Sequence, residues 1–450
     1  MRGDLAHLAA IFLAILAMAS VAASRRSIAE AWSPGTRLQA TSAQVLVTGG
    51  MLTASTFVQN REVVQIVVVA CFVAIVLFGE ISDIRLRRYR GQDDMLPVAY
   101  NRTPVALILL FWSWLYVVNL WFMADAPSNT ALYRTASGAA LFLYVMAQRY
   151  RPITLPQFYS AALLTIAAIM VSLPFVSGNF GGCGRFKCNE INALLLGPFP
   201  SENFLGMAAA MCAVLFVMAV PVSLRTAIVL VFLVAVVYAT YSRTSLLALT
   251  VTVGLIAAES LLFAEKNNRV ASKFVVNAVS ACCAVLPIVV GMALVYHSET
   301  RTFSNRGRIW ARGREAVSNY PLTGRGLDSW DVLVDSGYFG QRFANYPHSE
   351  YLLIYFAGGA IALVLLACMM YRITSVAITE HGSLARGSAL PVAFATIAIA
   401  ETLWNPLSVD FGTWIFFALV AACVPVSQRI GDAGISGPQM ARTDAPSWSP

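Results

Sequence analysis

The chain of 450 residues is 58% hydrophobic and only 12% charged, with a mean hydropathy of +0.68, against about 25% charged residues in soluble domains. That excludes an ordinary water-soluble enzyme, and at about 20 residues per bilayer crossing the apolar stretches predict an all-α integral membrane bundle of about 12 transmembrane helices. The formal charge of +8 is not a nucleic-acid footprint, because basic residues beside membrane spans also report the positive-inside bias.

The first apolar run, His7 to Ala23, has the length of a signal peptide, but long apolar runs recur after it, so it reads as a retained helix. Gln44 to Val58 is apolar yet carries Gly49-Gly50 and several hydroxyls, and reads as a buried or interfacial segment. Strong spans follow at Glu62 to Gly79, Pro104 to Trp121, Ala131 to Met146, Phe158 to Val176, Phe204 to Val220, Thr226 to Thr240 and Thr244 to Phe263. Further spans are Phe274 to Val295, Glu350 to Met370, Ala389 to Leu403 and Phe411 to Val424. The stretch from Gly431 to Pro450 is rich in Gly, Pro, Ser and Ala without apolar period, and reads as a disordered cytoplasmic tail.

Basic residues at Arg85 to Arg90, Arg149 to Arg151, Arg225, Lys266 to Arg269, Arg372 and Arg429 fall on alternate connections, which assigns those to the cytoplasm. Arg25-Arg26 break this pattern, and a thirteenth crossing at Gln44 to Val58 would restore it. The orientation after Arg61 is the same either way. Six of the eight cysteines sit in apolar runs as small hydrophobes. Cys183 and Cys188 lie instead in a polar connection, where a disulfide can close a short loop in an oxidising compartment. No histidine lies near them at ligand spacing, so no metal is expected. No phosphate loop or dinucleotide fingerprint occurs, and no cofactor is expected.

The longest outer connection, 296–349, collects Arg301, Arg306, Arg308, Arg312, Arg314, Arg325 and Arg342. Outer loops are normally depleted in basic residues. This cluster therefore reads either as a folded loop with internal Arg-carboxylate pairs or as a site for a polyanion such as a pyrophosphate, whose oxygens the guanidinium fork matches. Ser304 to Tyr320 reads as a surface helix with Ile309, Ala316 and Val317 on one face and Trp310 beside them. Arg308 and Arg312 are four apart on one face, and Arg301 or Arg306 approaches from the helix start. His348, at the mouth of the next span, carries an imidazole, the side chain suited to a general base acting on a sugar hydroxyl. Glu350, two residues on, does not share its helical face. Arg243 separates two apolar runs with almost no room for a loop, and a charge at that depth is a binding hypothesis. Asn203 and Glu401 add polar groups at comparable depth.

Tyr241-Ser-Arg243 before an apolar run, Arg306-Gly-Arg308-Ile-Trp310, Pro321-Leu-Thr-Gly-Arg-Gly326 and His348 at a helix start, together with Pro200-Ser-Glu-Asn203, resemble the O-antigen ligase and polymerase family over 197–365. Ser349 stands where an Asn commonly follows the histidine, and Arg325 where an aromatic is frequent. The resemblance implies a GT-C-like membrane domain over 1–430, in the bacterial inner membrane with its site facing the periplasm. It implies a metal-independent inverting glycosyltransferase whose donor is an undecaprenyl-pyrophosphate-linked glycan. Arg243 and Arg308 would neutralise the leaving pyrophosphate and His348 would activate the acceptor hydroxyl, with Arg301, Arg306, Arg312, Arg325, Asn203 and Glu401 in substrate binding. Transfer to a lipid-linked repeat would make a polymerase, the reading preferred on sequence. Transfer to lipid A-core would make a ligase, and a transporter of lipid-linked sugars is a third reading. The implied partners are these lipids, a flippase and a chain-length regulator.

Overall fold

The computed structural model describes residues 2–31, 102–122, 155–175, 179–183, 188–190, 193–197, 199, 201–220, 223–262, 272–340, 346–407 and 412–422. The expected spans Glu62 to Gly79 and Ala131 to Met146, the run Gln44 to Val58 and the tail lie outside these residues. The other expected spans fall on helices. In chain order these are α1 (Arg2–Ala31), α2 (Arg102–Phe122), α3 (Leu155–Ser172), α4 (Glu202–Ala219), α5 (Leu224–Thr240), α6 (Arg243–Leu262) and α7 (Lys273–His297). The connection 296–349, expected to face outward, contributes α8 (Thr302–Val317) and α9 (Asp328–Asp335), followed by α10 (Glu350–His381), α11 (Leu384–Ala398) and α12 (Thr413–Ala421). Among the described residues seven helices are long and apolar enough to cross a membrane, and α5 and α11 are shorter apolar helices. The protein is an all-α polytopic membrane bundle.

Burial sorts the helices into layers. α4 is buried without interruption from Leu205 to Met218, and its Ala208, Ala209 and Ala210 let neighbouring backbones come close, as small residues do between membrane helices. It packs on α3, α5, α6 and α11. α6 and α7 instead expose Leu247, Val251, Val285 and Val289, the pattern of helices that present one apolar side to lipid. Successive helices run in alternate directions, so the starts of α4, α6 and α10 and the ends of α5, α7 and α11 share one end of the bundle. That end also carries a small hairpin, β1 (Phe180–Gly182) paired antiparallel with β2 (Ala193–Leu195). Cys183 and Cys188 are joined by a disulfide beside it.

α10 runs eleven residues past the expected Met370, reaching His381, and contains a break at Gly359, whose φ of 65° and ψ of −162° are helical for no residue and accessible in practice to glycine. A break at membrane depth is tolerated only where the freed backbone groups find partners. Here the segment Pro321 to Gly326 supplies them. Arg325 N–H donates to the Phe356 carbonyl at 2.7 Å and Gly326 N–H to Ala357 at 3.1 Å, while Ala360 N–H donates to Pro321 at 2.9 Å and Ile361 N–H to Leu322 at 3.2 Å. Trp114 of α2 donates to the Gly358 carbonyl at 2.8 Å. The turn expected to end the surface helix thus also repairs the broken span.

α8 begins at Thr302, two residues before the expected start. Its Ile309, Trp310, Ala316 and Val317 are buried against Trp330, Phe339, Leu352 and Phe356, so the face set by apolar spacing is the face that docks. Gly307 lies where α8 presses on the Glu299 carbonyl, which leaves no space for a side chain.

Candidate active site at one end of the bundle

α8 and α10 approach the same point from different parts of the chain. Between them, Tyr346-Pro347-His348-Ser349 forms a short bent passage into α10. Trp310, fully buried in α8, donates its indole N–H to the Pro347 carbonyl at 2.8 Å. This bond pins the residue before His348. His348 itself has φ 53°, a left-handed conformation that costs a non-glycine residue of the order of 1–3 kcal/mol. It is held there from both sides, because Glu350 N–H donates to the Glu401 carbonyl at 3.1 Å.

Glu401 was expected near the end of a span that continued to Leu403. The regular helix instead stops at Ala398, and after the Ala400 and Glu401 N–H groups make their last bonds to Ile397 the chain turns away. The Leu403 and Trp404 N–H groups, which no longer bond within a helix, donate to Glu350 Oε2 at 2.9 and 3.1 Å. This bend turns the Glu401 carboxylate into the space between α4, α8 and the His348 passage. One oxygen, Oε1, accepts from Arg306 at 2.7 Å and from Asn203 Nδ2 at 2.9 Å. The other, Oε2, lies 3.8 Å from His348 Nδ1. Arg306 also donates to the Ala400 carbonyl. Burial drives the Glu401 carboxyl upward, but His348 and Arg306 outweigh it and hold it below the ordinary carboxylate range. Tyr346 stacks at a tilt on the His348 ring, 4.2 Å between centroids. Its phenol is raised above the ordinary value by burial and by Glu401.

The imidazole is 15% exposed and its carboxylate partner 5%, so the histidine stands at the rim with the acid behind it. Nδ1 faces the acid, which leaves Nε2 to meet a substrate. A proton taken at Nε2 would put positive charge next to a buried carboxylate already compensated by one guanidinium. The arrangement is that of a general base with an acidic partner.

The remaining predicted residues are placed as follows. Asn203, Arg306, His348 and Glu401 are brought together. Arg243 opens α6 on the exposed side, with its guanidinium 5.7 Å from the Tyr241 ring. The turn before it packs on the first turns of α4, because a side chain at Gly206 would meet Thr240 and Ser242. Arg243 thus stands at the same end of the bundle as Asn203. Arg301 and Arg308 are exposed, and neither forms a hydrogen bond or ion pair with another described residue. Arg312 pairs with Glu315 at 2.9 Å and lies over Tyr338. Arg325 donates to the Ala316 carbonyl at 3.3 Å. Arg312 and Arg325 are engaged within the outer loop itself. Arg342 lies outside the described residues. Among the described residues no group of three or more His, Cys, Asp or Glu side chains could hold a metal ion.

Sequence reasoning had assigned no role to Tyr346 or to the indole N–H of Trp310, and had set Glu350 aside because it shares no helical face with His348. The available signal was local for Tyr346, an aromatic two residues before the histidine. For Glu350 and Trp310 it was absent, because their partners are 53 and 37 positions away in the chain.

A polytopic bundle that gathers an imidazole, a carboxylate and a guanidinium at one end, beside exposed arginines, defines a membrane protein built to work at a bilayer surface. Residues 228–367 match the family model described as O-Antigen ligase, which bears out the resemblance over just under a third of the chain. The matched segment contains Arg243, Arg306, Arg308, His348 and Glu350, whereas Asn203 and Glu401 lie outside it. No curated protein matches the chain, and no solved structure does.

Proposed function

We propose that the protein is a glycan transferase of the bacterial inner membrane that joins a lipid-linked glycan to lipid A-core, a ligase. The observation that carries the reading is the His348–Glu401–Arg306–Asn203 cluster, with the acid buried and its three partners half-buried around it, set beside exposed arginines. In this reading the His348 Nε2 takes the proton of an acceptor hydroxyl as its oxygen attacks the anomeric carbon. The bond from that carbon to the pyrophosphate oxygen breaks, and the undecaprenyl pyrophosphate leaves on the opposite side, which inverts configuration. Arg243 and Arg308, with Arg301 of the same connection as Arg308, offset the charge that develops on the leaving group. Arg306 is already committed to Glu401, so its part is to hold the acid. The basic residues Arg225, Lys273, Arg372 and Arg386 lie toward the ends of helices far from His348, which supports a periplasmic site by the positive-inside bias.

The description of the matched family favours ligase over polymerase. Protein in liposomes, given an undecaprenyl-pyrophosphate glycan and lipid A-core, is expected to release undecaprenyl pyrophosphate and modify the core. Chain lengthening on the lipid carrier would show a polymerase instead, and movement of unaltered lipid-linked glycan across the bilayer a transporter. His348→Ala is expected to abolish turnover with donor binding retained, and unchanged turnover would remove the base assignment. Arg243→Ala and Arg308→Ala are expected to weaken donor binding, and normal activity in both would remove the clamp.

A further inference from the structure

Glu350 is fully buried and lies in the first turn of α10. An acidic residue in a helix first turn is favoured by the N-terminal end of the peptide dipole. A single oxygen, Oε2, takes both the Leu403 and the Trp404 N–H groups. Both of those residues are about as buried as Glu350, at 1% exposure each, so their amide groups have no water to turn to. The backbone N–H of the same Glu350 holds the Glu401 carbonyl. Glu401 N–H still bonds back to Ile397 at 3.0 Å, the last helix-type bond of α11, and beyond it three bonds from one residue fix the path of 401–404. That residue follows His348 by two positions, through Ser349 at the start of α10.

From this we infer that Glu350 is the positioning residue of the site: it sets the Glu401 carboxylate against His348 by tying the bend after α11 to the start of α10. It touches no reacting atom. The inference rests on the reading of His348 as the base with Glu401 as its partner. It explains why a carboxyl that shares no face with the histidine is nevertheless built into the same turn, and why the acid partner comes from an element some fifty residues downstream.

The test uses the full-length protein in nanodiscs, labelled with ¹⁵N-histidine, with the His348 ring resonances assigned by their loss in His348→Ala. Glu350→Gln keeps one carbonyl oxygen, enough to accept both amides, and is expected to leave the His348 resonances in place and turnover within about threefold. Glu350→Ala is expected to move those resonances in the same direction as Glu401→Gln, and to lower kcat at least thirtyfold with little change in KM. In a Glu401→Gln background the further loss on adding Glu350→Ala should be less than threefold. If Glu350→Ala leaves the His348 resonances unmoved, or if its effect multiplies in full with that of Glu401→Gln, the positioning role is overturned while the base assignment stands. If His348→Ala retains turnover, the base reading falls and this inference with it. Should Glu350→Ala fail to fold, the Glu350→Gln arm still decides: shifted resonances in that variant would show that the negative charge, and not the amide ties, is what the site needs.

Discussion

Glu401→Gln isolates the charge of the acid partner while keeping its shape. The amide can still accept from Arg306 or Asn203, but it can no longer compensate a proton on His348. The nearest approach is 3.8 Å, and at an effective dielectric of about 20 two unit charges at that separation attract by about 4 kcal/mol. Arg306 lies on the same carboxylate at 2.7 Å and repels an imidazolium, which cancels part of this gain. About 2–4 kcal/mol of transition-state stabilisation therefore depends on the charge, or a rate loss of about 30- to 1,000-fold. The loss should fall on kcat, since the interaction strengthens only when His348 gains its proton. The assay is turnover of the lipid-linked donor in liposomes at matched amounts of folded protein, beside His348→Ala as the inactive reference. A Glu401→Gln protein that turns over within threefold of the parent, while His348→Ala is inactive, would refute the acid-partner argument.

Three other outcomes follow from the same geometry. Gly359→Ala forces a Cβ into the Leu322 carbonyl and to within 2.6 Å of the Gly324 N–H, at a backbone conformation that alone costs about 1–3 kcal/mol; thermal unfolding in detergent should show a lowered midpoint, and an unchanged midpoint would mean that the 321–326 segment does not hold the break. Trp310→Phe removes the indole bond to the Pro347 carbonyl and should cost about 1–2 kcal/mol of stability with a several-fold drop in turnover, read by unfolding and kinetics together; a loss of stability without loss of turnover would separate the indole from the placement of His348. Because the Glu401 carboxyl is held below its ordinary range, its contribution to stability is fully present above the unfolded carboxylate value and is lost as the pH falls through the folded one. Unfolding midpoints measured from neutral pH into the acid range should therefore fall less steeply in Glu401→Gln than in the parent.

Much of the architecture was legible in one dimension. Runs of apolar residues long enough to cross a bilayer mark helices whatever they later pack against, because lipid requires every backbone group to be bonded within the segment. The spacing of Ile309, Ala316 and Val317 marked the docking face of α8 for a similar reason, since a helix surface repeats along its own sequence. His348 was legible too, as a titratable side chain at a span mouth.

What only the tertiary structure decided is who acts on whom. Nothing in the spacing of Arg306 and Arg308 says that the first is half-buried on Glu401 and the second left exposed, because that depends on which side of α8 meets the end of α11. The role of Glu401 depends on the chain leaving α11, and the amides just beyond it, of Leu403 and Trp404, are bonded by Glu350, a partner far away along the chain. Nor does the sequence around Gly359 show that the freed carbonyls of α10 find the amides of Arg325 and Gly326. Periodicity is a property of neighbours along the chain, so it reports helices and faces. Charge pairing and the bonding of broken backbone are properties of neighbours in space, and for this protein those are what assemble the site.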